Sequence, residues 1–226
     1  MSVATLTGTD LRMREAVMRE LEADPRLDAS GIGVSAKADA VTLGGFVDTY
    51  AAKLAAERAA KRVRGVRAVA NDIDVRLRLT RADDEIARDA ARVLEIQTRV
   101  PATVQVVVHH GHLTLTGSVE WLFQREAAEK AVRHIAGVAG IVNHVEVRPA
   151  LSPKDISHRI TSALHRNADV NARFIQVNIV GSVATLRGHV SSWAQRYAAE
   201  RAVADAPGVS RVDNELEIRP LDHAEA

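Results

Sequence analysis

The sequence contains no cysteine, so disulfides, thiolate chemistry and cysteine metal ligands are excluded, and the redox compartment is left open. Aromatic residues make up only 3% of it, so any core must be built from aliphatic side chains that lie close to the backbone. Thirty basic residues against 29 acidic ones leave a formal net charge of +1, so no global field points to nucleic acid or a membrane. Long apolar runs are missing as well. No stretch reaches membrane-spanning length, and the start, "MSVATLTGTDLRMREAV", lacks the apolar segment of a secretory signal, which predicts a cytoplasmic protein.

What the 226 residues do contain is 46% hydrophobic residues and an internal repeat. "VTLGGFV" (Val41 to Val47), "LTLTGSV" (Leu113 to Val119) and "ATLRGHV" (Ala184 to Val190) align at spacings of 72 (113 − 41) and 71 (184 − 113) residues. The same offsets relate Gly45, Gly117 and Gly188; Gly65, Gly137 and Gly208; and Asn71, Asn143 and Asn214.

Each repeat opens with apolar residues at helical spacing: Met13/Val17/Leu21, Ile86/Ala90/Leu94 and Ile156/Ile160/Leu164. Thr80 and Ser152 are the expected N-caps, supported by Asp83, Asp155 and Pro153. Period-two alternation follows, first in Ile32/Val34/Ala36, Val104/Val106/Val108 and Ile175/Val177/Ile179, then in the aligned segments, which makes a hairpin. A second helix is expected from about Asp48, Glu120 and Ser191, with a stripe such as Ala127, Ala131, Ile135 and Val138, and with Gly65, Gly137 and Gly208 as its C-caps. A last alternating strand carries each Asn. The unit is therefore αββαβ, and the fold class is α+β: in each unit a three-stranded mixed sheet has two helices on one face.

This order of elements, read three times with "V-x-L-x-G-x-V", an "A-x-x-A" helix, a "GV" turn and "V-x-N-x-(I/V/L)-x-V", resembles the BON domain family (bacterial OsmY and nodulation domain). The domains would be residues 9–78, 80–149 and 152–220, with 1–8 and 221–226 as flexible termini. The resemblance implies a non-enzymatic, stress-associated role with no cofactor, and phospholipid binding at envelope surfaces. Many members of the family are periplasmic.

Gly45, Gly117 and Gly188 share parity with inward residues, which suggests close helix-on-sheet packing, and the inward Asn71, Asn143 and Asn214 are expected to bond loop backbone. His109, His110 and His112 cluster around Gly111 with no evident carboxylate beside them, so a turn is favoured over a metal site. Phe46, Val107 and Val142 break the polar outer face and suggest places where one domain leans on another.

No catalytic or nucleotide-binding motif is present. The binding candidates are the basic residues of the first repeat's second helix (Lys53, Arg58, Lys61, Arg62, Arg64 and Arg67, against Glu57) and the rings that start second helices, Tyr50, Trp121 and Trp193. Basic residues attract anionic headgroups and amphipathic rings anchor at the interface, although a solvated helix face and core-edge rings fit the same pattern. The expected partner is an anionic phospholipid surface or a protein. The alternatives are a cytoplasmic potassium sensor, as one branch of the family suggests, and a scaffold or chaperone-like module. Nucleic acid is not expected.

Overall fold

The structure, a computed structural model, describes residues 8–78, 81–148, 160, 174–206 and 208–219. The chain forms two compact units, residues 1–80 and 81–226; the first holds repeat one and the second holds repeats two and three.

In repeat one, α1 (Gly8–Glu22) precedes the hairpin β1 (Ile32–Lys37) and β2 (Ala40–Val47), then α2 (Tyr50–Arg62) and β3 (Ala68–Val75). Strand β2 is central, antiparallel to β1 and parallel to β3. That order follows from the connections, because a two-residue turn can only reverse the chain, whereas a crossover helix returns it in the same direction. Met13, Val17 and Leu21 of α1 and Ala56, Ala59 and Ala60 of α2 pack on Val41, Leu43 and Val47, so both helices cover one face. Alanine on the helix is what lets it approach the sheet closely.

Repeat two repeats this plan with α3 (Asp83–Ile96), β4 (Gln105–His109), β5 (His112–Thr116), β6 (Ser118–Val119), α4 (Leu122–Val132), β7 (Gly140–Asn143) and β8 (Glu146–Val147). Its central strand is interrupted at Gly117 and its last strand after Asn143, giving the pairs β5–β7 and β6–β8. Repeat three has β9 (Ile175–Val180), β10 (Val183–Val190), α5 (Trp193–Ala204) and β11 (Arg211–Ile218), again with the second strand central. Leu122 at the head of α4 packs against the core of repeat three, which joins the two repeats of the second unit.

Several local expectations shift. The first-helix residues Ile86, Ala90 and Leu94 are buried, as is Ile160; Ile156 and Leu164 lie outside the described residues, as do Thr80, Ser152, Pro153, Asp155 and residues 1–7 and 221–226, while Gly8, expected in the flexible N-terminus, opens α1. The N-cap of α3 is Ala82, which has no side-chain bond to offer. The second helices begin two residues later than expected, at Tyr50, Leu122 and Trp193. Thr49 Oγ1 caps the Ala52 N–H at 3.1 Å and Ser192 Oγ caps the Gln195 N–H at 3.3 Å. In α4 the buried stripe is Ala128 and Val132, one residue out of phase with Ala127 and Ala131, and the helix ends before Ile135.

The glycines are explained by backbone geometry. Gly45, Gly117 and Gly188 have φ of 101°, 113° and 119°, and a Cβ there would overlap the carbonyl oxygens of Gly31, Thr103 and Phe174, where the chain enters the first strand. The obstacle is therefore the neighbouring strand and not a helix, and the three positions are exposed. Gly65, Gly137 and Gly208 (φ 92°, 93° and 92°) lie beyond the helix ends. Each is the third residue of a turn closed by Val66 to Val63, Val138 to Ile135 or Val209 to Ala206, at 3.3, 3.2 and 3.4 Å. Phe46, Val107 and Val142 are all exposed.

Candidate functional site

The recurring asparagines tie the last strand to the second helix. Asn71 Nδ2 donates to the Lys53 carbonyl (3.2 Å) and to Glu57 (3.3 Å), while its Oδ1 accepts the Ile73 N–H (3.4 Å). Asn143 does the same with Arg125 O, Glu129 and Val145 N, and Asn214 with Arg196 O, Glu200 and Leu216 N. The partners are helix backbone and a helix carboxylate, where loop backbone was expected. Arg125 and Arg196 return a bond to the carbonyl of the same asparagine. In the second unit, Arg125, Glu129 and Asn143 face Glu200, Arg211 and Val212 across a cleft of about 200 Å³.

The histidine turn is also held by a carboxylate. His110 (φ 49°) and Gly111 (φ 73°) form the two-residue turn, in which both central residues take positive φ. Asp83, at the start of α3, accepts the N–H groups of His110 (2.7 Å) and Gly111 (2.9 Å), and these donors hold its carboxyl below the ordinary range. Asp83 is thus a carboxylate beside the turn that the linear spacing hid, and it is engaged with backbone. Asp10 is its counterpart in repeat one, accepting the Ala38 N–H at 3.1 Å. The His109 ring lies against His110 (centroids 4.1 Å apart), while that of His112 lies over Gly140. Among the described residues no group of three or more His, Asp or Glu side chains could hold a metal ion.

The basic residues of repeat one are largely occupied. Lys61 pairs with Glu57 at 2.5 Å and its side chain is 14% exposed; Arg62 reaches Glu20 at 2.6 Å and Asp24 at 3.1 Å; Arg67 pairs with Asp39 at 3.6 Å. Burial raises the Glu57 carboxyl, but the Lys61 bond and charge together with Asn71 outweigh it, so the net shift is downward. Arg58 and Arg64 are exposed and Lys53 is half-buried. The six residues are therefore not one open cationic face.

The three rings lie at the second-helix starts, Tyr50 and Trp193 as first residues and Trp121 as N-cap, and all are half-buried. Trp121 lies 6.1 Å from Phe123 and Trp193 lies 5.9 Å from Tyr197, with Arg196 over Trp193 at 5.1 Å. Also missed from the sequence were the bonds of Glu57, Glu129 and Glu200 to the asparagines, and the arginines Arg76, Arg148 and Arg219. Both sets recur at the offsets already noted for glycine and asparagine, and that recurrence was the available signal.

The chain is 28% identical over 129 residues to osmotically-inducible protein Y of Escherichia coli (strain K12), an overlap of 54% of this chain and 64% of that protein. Among solved structures, CdsD, a structural protein of the type III secretion system of Chlamydia trachomatis, aligns at 13% identity over 92% of both chains with a TM-score of 0.27. The periplasmic domain of the inner membrane protein PrgH from S. typhimurium aligns at 10% identity over 83% of this chain and 94% of its own, with a TM-score of 0.22. The BON domain model matches residues 9–76, 82–149 and 153–220, one match to each repeat, and on that threefold match the chain belongs to the BON domain family.

Proposed function

We infer that this is a non-enzymatic, stress-associated BON-repeat protein that binds anionic phospholipid at an envelope surface. The observation that carries the reading is the placement of Tyr50, Trp121 and Trp193: each stands partly exposed at the head of a second helix, outside the aliphatic core. An amphipathic ring held there is suited to the headgroup region of a bilayer. The relative named for osmotic induction supports the stress association. No described helix is long and apolar enough to cross a membrane.

Sedimentation of the full chain with phosphatidylglycerol and with phosphatidylcholine vesicles, at low and moderate salt, tests this. Binding to the anionic vesicles alone, released by salt, is expected; no binding at either salt overturns it. A protein-interaction scaffold is the second reading, because each three-stranded sheet leaves two outer strands with open edges, and Val180 on one of them is exposed.

A further inference from the structure

The chain has three phenylalanines, two tryptophans and two tyrosines, and not one is in its core. Phenylalanine has no polar atom to justify exposure, yet Phe46 is 41% and Phe174 50% exposed. The topology places these rings at one end of each repeat. The central strand ends where the antiparallel first strand begins, the parallel last strand ends there too, and the second helix starts there. Phe46 is the penultimate residue of β2, Phe174 immediately precedes β9, and Phe123 lies in the first turn of α4.

The same end carries a recurring cation. The residue that follows each last strand is Arg76, Arg148 or Arg219, and its N–H donates to the last residue of the central strand, Val47, Val119 or Val190, at 2.8 Å in all three repeats. Any residue except proline supplies that N–H, so the backbone bond does not explain arginine. The side chains extend into solvent: Arg76 lies 4.4 Å over the Phe46 ring, and Arg148 and Arg219 pair with Glu146 and Glu217 while remaining 73% and 63% exposed. Such open pairs are weak and yield readily to a competing anion. A guanidinium matches phosphate oxygens through two parallel N–H bonds, and the rings beside it suit the boundary between headgroup and acyl chain.

We propose that this arginine and aromatic rim is the lipid-facing end of every repeat, with Arg76, Arg148 and Arg219 taking headgroup phosphate while the adjacent rings enter the interface. This rests on the phospholipid reading and moves its site from the paired cations of α2 to a feature all three repeats share.

The full chain, its Arg76→Gln/Arg148→Gln/Arg219→Gln variant and a Lys53→Gln/Arg58→Gln variant are to be titrated with phosphatidylglycerol vesicles. The two tryptophans, Trp121 and Trp193, report directly, because a blue shift and quenching by brominated lipid require rim insertion. The rim variant keeps its backbone bonds and should melt as the wild type does. It is expected to lose about fivefold in partitioning for each rim arginine that contacts the bilayer, while the helix variant loses less than about fivefold. If wild type binds but the rim variant binds equally well and the tryptophans are not quenched, the rim assignment fails and the phospholipid reading stands. If wild type does not bind at all, both fall.

Discussion

Repeats one and two share a backbone plan and differ in how they use charge. Both place a positive-φ glycine against the carbonyl before the first strand, and both hold the hairpin turn with an aspartate from the first helix. Both second helices end on a cation paired one turn back, Lys61 with Glu57 and Arg133 with Glu129, but in repeat one Arg62 also crosses to Glu20 and Asp24, whereas its counterpart in repeat two is His134. The helix richer in basic residues spends several of them inside its own domain. A run of like charge in a sequence therefore says little about surface potential until its partners are placed.

The largest effect should come from what the repeats share. Gly45→Ala and Gly117→Ala each force a Cβ onto a backbone carbonyl from a φ near 100°. Each should cost on the order of 3–4 kcal/mol, by strain and overpacking together, in urea unfolding of the full chain followed by circular dichroism. Nearly equal losses support a common plan. A loss below about 1 kcal/mol in either repeat would mean that its hairpin can relax, and the equivalence would break.

Those glycines also mark how far the sequence could be read. Element order, helix faces and the αββαβ unit were legible because burial imposes period on Val41/Leu43/Val47 and Met13/Val17/Leu21, while which hairpin strand lies at the centre was left open. The reason for Gly45 was not, since parity names a face but cannot name the atom opposite. Asp83 was hidden similarly: it lies 27 residues before His110, and only the packing of α3 on the hairpin brings them together. The one-residue phase error on α4 arose because alanines crowd both sides of its stripe. For the candidate site, the positions of Tyr50, Trp121 and Trp193 were legible, while the pairing of Lys61, Arg62 and Arg67 depends on residues from other elements or on side-chain geometry.

Charge use separates the repeats next. Asp24 is buried and accepts bonds from the Arg26 side chain (2.6 and 2.8 Å), the Arg26 N–H (3.1 Å) and Arg62 (3.1 Å). The Arg26 bond is the main cause of a carboxyl held well below its usual value, against the opposing effect of burial. Because the folded pKa is depressed, this stabilisation is present above the ordinary value of 3.8 and is lost as pH falls through the folded one. Asp24→Asn should cost about 2 kcal/mol at neutral pH and flatten the acid limb of the unfolding profile. An unchanged acid limb would show that Asp24 does not set it.

The smallest contrast is between two lysines in i,i+4 helical pairs at different positions of the repeat, since the counterpart of Lys61–Glu57 in repeat two is Arg133–Glu129. Lys61 is 14% exposed and holds Glu57, which also binds Asn71, whereas Lys130 is 58% exposed and its partner Glu126 is 47% exposed. Lys61→Ala leaves a half-buried carboxylate without its cation and should cost about 1 kcal/mol, while Lys130→Ala should cost about 0.3 kcal/mol, the value of a solvated i,i+4 pair. Thermal melts in low and high salt separate the two, because screening should erase the Lys130 effect and leave most of the Lys61 effect. Equal, salt-sensitive losses would mean that the Lys61–Glu57 pair is as superficial as Lys130–Glu126, and that Lys61 is available to an anionic surface after all.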